Sequence, residues 1–92
     1  MANYTAARSK HATLVGGTED VVTLSEDGAR VRIVNLGATN PIYFRHDGQP
    51  ASVAGDNTIV VPPNDFEDAR YTRGVPIRLI SAGAQSYAVE LI

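Results

Sequence analysis

Side chains able to do chemistry are few in this chain, and they are scattered. There are two histidines, His11 and His46, and no cysteine or tryptophan. Metal centres built on imidazole need short fixed spacings such as HxH or HExxH, and neither histidine has such a neighbour. His46 precedes Asp47-Gly48 at a turn signal, and His11 opens an alternating run, so both read as ordinary polar positions. A small cupin-like enzyme would need a metal triad, which two separated histidines supply poorly. The five serines (Ser9, Ser25, Ser52, Ser81 and Ser86) include no GxSxG elbow, and Lys10 is the only lysine. Asp47, Asp56 and Asp65 recur nine residues apart, each beside glycine or asparagine. Calcium takes several loop oxygens, but no DxDxDG run is present, and Asp is itself a preferred turn residue. Turn chemistry is the better reading of the three, with a bound cation as the alternative. Glu19-Asp20, Glu26-Asp27 and Glu67-Asp68 are adjacent pairs, which a strand sends to opposite faces, so none is an acid–base couple. Gly16-Gly17-Thr18 is too short for a phosphate loop and is followed by two carboxylates. The expectation is a protein that is not an enzyme and that holds no cofactor and no metal.

The elements that would position these residues are strands. Ten Val, six Ile and seven Thr make a quarter of the 92 residues β-branched, a type that fits a pleated surface and loses rotamer freedom in a helix. Turn signals such as Gly16-Gly17, Asp27-Gly28, Asn40-Pro41, Asp47-Gly48, Pro62-Pro63-Asn64-Asp65 and Arg73-Gly74 separate short apolar runs. Spacings of about eight to twelve residues are those of an all-β sandwich or barrel. The runs alternate. Val31 and Ile33 share one face against Arg30 and Arg32; Ile42 and Phe44 oppose Tyr43 and Arg45; Tyr87, Val89 and Leu91 oppose Ser86, Ala88 and Glu90. Strands are expected at 10–16, 19–25, 29–35, 41–46, 58–62, 66–72, 75–81 and 85–91. The fold class is therefore all-β: a small antiparallel β-sandwich or jelly-roll-like barrel of seven to eight strands. Pro76 cannot donate to a ladder and must open its strand or lie on an edge. Residues 1–9 are small and polar without alternation, and are expected to form a flexible, extended N-terminal arm that orders on a neighbour, leaving 10–92 as a single sandwich domain.

Composition sets limits. Hydrophobic residues make up 43% and charged residues 20%, ordinary for a globular domain. Without cysteine there is neither a disulfide scaffold nor a thiolate zinc site. A net charge of −2 argues against a nucleic-acid partner, and no apolar run approaches the length that crosses a bilayer. Seven of the eight basic residues are arginine, with Arg30, Arg32, Arg45 and Arg78 on outward strand faces. A GC-rich coding bias explains much of that, and protein contact the rest. So short a chain has a thin core and open strand edges, which favours a symmetric homo-oligomer.

The strings Val31-Arg32-Ile33-Val34-Asn35-Leu36-Gly37, Asn40-Pro41-Ile42-Tyr43-Phe44-Arg45-His46-Asp47-Gly48 and Gly55-Asp56-Asn57-Thr58-Ile59-Val60-Val61-Pro62-Pro63, with the closing Val75-Pro76-Ile77-Arg78-Leu79-Ile80-Ser81 and Tyr87-Ala88-Val89-Glu90, are similar to small virion structural proteins of tailed bacteriophages. The resemblance covers roughly residues 29–92. One departure is Asn64, where a glycine is expected after the two prolines; asparagine tolerates the left-handed conformation such a turn needs. The resemblance implies a place in the phage particle, made in the bacterial host cytoplasm. That place would be on the capsid surface as a decoration protein, or in the neck, tail or receptor-binding apparatus. A tiny cysteine-free sandwich with a polar arm favours decoration, by contact with the major capsid protein or with itself as a symmetric homo-oligomer, a trimer by inference from shell symmetry. Asn3, Tyr4 and Arg8 of the arm and outward Tyr43 and Arg45 are the expected protein-interface residues. In the alternative reading, a carbohydrate-binding module, exposed Tyr43, Tyr71 and Tyr87 would stack on sugars.

Overall fold

The computed structural model describes residues 1–92. Nine strands form: β1 (Ala2–Ala6), β2 (Ser9–Leu14), β3 (Asp20–Leu24), β4 (Arg30–Asn35), β5 (Ile42–Arg45), β6 (Ile59–Val61), β7 (Phe66–Arg70), β8 (Ile77–Ile80) and β9 (Gln85–Leu91). They build a five-stranded sheet in the order β1-β3-β8-β5-β6 and a four-stranded sheet in the order β2-β9-β4-β7. The chain changes sheet at every connection except β5–β6, where the loop 46–58 returns it to the same sheet. The expected all-β sandwich is thus the fold, but with nine strands in place of seven to eight, because residues 2–6 add a strand, and with that strand paired parallel in an otherwise antiparallel arrangement.

Alternation decides which faces meet. Val22, Leu24, Ile42, Phe44, Val61, Ile77 and Leu79 of the five-stranded sheet pack against Leu14, Val31, Ile33, Ala69, Tyr87, Val89 and Leu91 of the four-stranded sheet. Pairing β3 with β8 antiparallel at Val22↔Ile77, and β4 with β9 at Ile33↔Val89, keeps every one of these side chains on the inner face; a slip of one residue would expose them all.

Residues 1–9 do not form the expected arm. Ala2–Ala6 is β1, paired parallel with β3 from Ala2↔Asp20 to Ala6↔Leu24, while Ser25 N and Glu26 N continue the ladder to the carbonyls of Ala6 and Ala7. Ala2, Tyr4 and Ala6 turn inward and Asn3 and Thr5 outward. Two of those inward residues are alanine, too small to give a hydrophobic signal, and the strand is held by a backbone ladder to a segment distant in sequence.

Local chemistry explains the turns. Asn64 takes φ 59°, the left-handed conformation in which glycine is expected, and its N–H donates to Gly37 O. Pro76 stands immediately before β8, where its missing N–H costs no ladder bond. All peptide bonds are trans.

Candidate interaction surface

The two histidines lie on different sheets. His11 is exposed on β2; His46 follows β5, with its ring centroid 6.3 Å from that of Phe44. Each of two turn aspartates has a local task. Asp47 accepts from Arg45 Nε at 3.1 Å and from the Gln49 backbone N–H at 3.1 Å, and the Arg45 guanidinium holds its carboxyl down at about 2 against some opposing desolvation. Asp65 accepts from the N–H of Phe66 at 2.8 Å where β7 begins. No three His, Asp or Glu side chains cluster as a metal site, and the surface has no pocket.

Buried polar groups serve the joint between the sheets. The Asn35 side chain, at the end of β4, is saturated: Nδ2 donates to the carbonyls of Asn40 (2.9 Å) and Val61 (3.1 Å), and Oδ1 accepts from Gly37 N (3.0 Å) and Gln85 Nε2 (2.8 Å). Gln85 Oε1 in turn accepts from Asn40 N at 3.2 Å. A Cβ on Gly37 would come within 2.0 Å of Gln85 Nε2, so only glycine fits this clasp. Tyr87 Oη donates to Asp20 Oδ2 across the core at 3.0 Å, and burial, with the nearby Asp20 charge, pushes the phenol pKa up and keeps it a donor. Tyr71 Oη shares its proton between the carbonyls of Leu24 (2.9 Å) and Glu26 (2.7 Å). Tyr71 and Tyr87 are therefore buried, which removes the expected three-tyrosine sugar platform. Only Tyr43 of the three reaches the surface, half-buried.

The five residues expected at an interface do not form one patch. Asn3, Tyr43 and Arg45 point out from the five-stranded sheet, but β3 and β8 separate the first from the other two. Tyr4 sits on the core side with Lys10 Nζ 4.5 Å from its ring centroid, and Arg8, between β1 and β2, pairs with Glu26 at 3.2 Å.

The outer face of the five-stranded sheet is partly covered by its own chain. Glu19, just before β3, accepts from Arg78 Nε at 2.9 Å and from the Ala51 N–H at 2.7 Å, which ties loop 46–58 to β3 and β8. Val21 and Ile80, outward on these two strands, are buried.

The outer face of the four-stranded sheet carries exposed side chains around a buried Ala88. Its register sets Val34 of β4 between Phe66 of β7 and Ala88 of β9, with His11 of β2 beyond. Phe66 (47% exposed), Leu36 (51%) and Ile92 (49%) stand in solvent on this side. Arg32 lies over the Phe66 ring at 4.2 Å and grips Asp68 with both nitrogens of its fork, Nε at 2.8 Å and Nη2 at 3.1 Å. That hydrogen bonding lowers the Asp68 carboxyl below its ordinary range and raises Arg32 above its own. Phe66 was readable in principle: in a strand over 66–72 it shares a parity with Asp68 and Arg70, so it is an aromatic on the polar side.

No family model and no curated protein matches the chain. Among solved structures, the chain is similar to a de novo designed double-stranded β-helix determined by solution NMR. The TM-score is 0.61 at 20% identity, over 91% of this chain and 97% of that one. This is a likeness of fold, and it agrees with the alternation between sheets described above. The pre-peptidase C-terminal domain of a collagenase from Bacillus anthracis aligns over 100% of this chain and 95% of its own, at 17% identity and a TM-score of 0.49.

Proposed function

We propose that this protein is a non-catalytic interaction domain of a tailed-phage particle. It decorates the capsid by laying the outer face of its four-stranded sheet on the shell protein. The observation that carries the reading is Phe66, an exposed aromatic clamped beneath Arg32 on the outer face of that sheet. Contiguous exposed apolar surface rimmed by charge is where soluble domains meet partners, and aromatic and arginine side chains dominate such contacts. A rigid sheet presents them at little ordering cost, because Arg32 is already held by Asp68. Repetition over a shell turns a modest contact of about 1,600 Å² into durable attachment. The resemblance of residues 29–92 to phage virion proteins supplies the particle; the outer face supplies the means.

The test is cosedimentation of the full-length protein with tailed-phage particles from its own source. Wild-type protein should saturate the shells, and Phe66→Ala should weaken attachment by about tenfold or more while the fold persists. Absence of wild-type protein from the particles, or labelling confined to neck or tail, would contradict decoration.

A further inference from the structure

Five arginines are paired: Arg8 with Glu26, Arg32 with Asp68, Arg45 with Asp47, Arg73 with Asp27 and Arg78 with Glu19. The other two, Arg30 and Arg70, have no acidic partner. They are directly opposite each other on β4 and β7, both exposed, on the outer face of the four-stranded sheet. Like charges directly across a ladder destabilise it. Asp68 is the nearest carboxylate on β7 but is occupied by both arms of Arg32; Glu90 on β9 lies across from Arg32 and Ser9, one row away. The same face holds three arginines against two carboxylates, in a chain whose net charge is −2.

Resting on the reading of this sheet as the docking face, we infer that Arg30 and Arg70 form a receptor for a pair of carboxylates on an acidic, apolar segment of the partner protein. Two guanidinium forks side by side can each take a carboxylate through paired hydrogen bonds, the arrangement in which arginine binds most strongly. Ile92 stands beside Arg30 in the arginine row, and two rows along, beyond the Arg32–Asp68 pair, lie Val34 and Phe66. An extended partner segment with a carboxylate facing the arginines and an apolar side chain four residues along, on the same face, matches both rows. A nucleic acid would satisfy the arginines but leave the apolar row against sugar and phosphate, and it would meet the net negative charge of the rest of the chain.

The test is an amide-resonance titration of the full-length protein with three probes. The first is the capped peptide Glu-Ser-Glu-Ser-Ser-Ser-Phe, whose odd positions share one face of an extended strand, the second its counterpart with every Glu replaced by Gln, and the third a short oligothymidylate. The expected result is shifts at Arg30–Val34, Phe66–Arg70 and Ile92 with the acidic peptide alone. The double variant Arg30→Gln/Arg70→Gln should bind that peptide at least about tenfold more weakly. It should also melt about 1–5 °C higher, because the cross-strand repulsion is gone; arginines kept for the fold would move the midpoint the other way. Equal binding of the Gln peptide, shifts centred on loop 46–58 or β1, tighter binding of the oligonucleotide, or shifts at this face that track the protein's own concentration would each overturn the inference. Shell binding separates the two readings. If wild type and double variant attach equally well, the carboxylate receptor is wrong and the docking role stands. If wild type does not attach while the acidic peptide binds as described, the phage role is wrong and the receptor stands.

Discussion

The two outer faces of this sandwich are built from the same alternating strands and meet solvent differently. On the five-stranded sheet, Glu19 and Arg78 hold loop 46–58 to β3 and β8, and outward Val21 and Ile80 are buried. On the four-stranded sheet Ala88 is buried at the centre, while Phe66, Leu36 and Ile92 remain exposed beside two unpaired arginines. Where charges serve stability alone, they pair; five of the seven arginines do so. The two that do not pair share the face that is also apolar. Exposed apolar side chains stand on both faces, Val60 on the five-stranded one, but only the four-stranded face sets them beside arginines without an acidic partner, the kind of surface that meets a partner.

The largest expected effect is on what the faces share. Asn35→Ala deletes four hydrogen bonds, two of them buried, and strands Gln85 and two carbonyls, at a cost of about 3 kcal/mol in chemical denaturation. Because Asn35 joins both sheets, hydrogen-exchange protection should fall on both faces together; loss on one face alone would break the picture of a common joint. The next effect belongs to the covered face. Arg78→Ala leaves Glu19 half-buried without its cation and should cost about 2 kcal/mol, with exchange quickened in 46–58 and attachment to shells unchanged. Loss of attachment there would mean that the covered face is the working one. Smaller still is Phe66→Ala, which removes an exposed ring and its cation–π contact and should cost about 0.5–1 kcal/mol in a denaturation midpoint while abolishing most binding.

The smallest effect is in acid. The Asp47 carboxyl is held at about 2 by Arg45, below its ordinary 3.8. A depressed acid stabilises the fold above its unfolded value, and that contribution disappears as pH falls from about 4 through about 2. Wild type should therefore lose more stability than Asp47→Asn over that interval when denaturation midpoints are compared. The Arg45–Asp47 pair sits at the end of β5, on the five-stranded side, so the variant should leave shell binding intact.

Much of this architecture is legible before folding. The runs at 29–35, 41–46 and 85–91 become Arg30–Asn35, Ile42–Arg45 and Gln85–Leu91, because alternation with β-branched residues and flanking turns leaves a strand as the only economical conformation. Asn64 does take the glycine-like conformation. What escapes a one-dimensional reading depends on partners remote in sequence. β1 has little side-chain signal and is fixed by Val21 and its neighbours. Tyr71 finds its acceptors at Leu24 and Glu26, far upstream. Tyr87 shares its parity with Val89 and Leu91, and that parity, rather than the general exposure of tyrosine, decides its place in the core. The unpaired state of Arg30 and Arg70 is invisible until register sets them opposite each other.

Hydrogen exchange of the protein bound to phage shells, compared with the free protein, tests the central claim most directly. Slowed exchange concentrated in Arg30–Asn35, Phe66–Arg70 and the end of β9, with loop 46–58 and β1 unchanged, is the predicted footprint. Protection centred instead on Ala2–Ala6, β5 and loop 46–58 would put the partner on the opposite face and contradict the account.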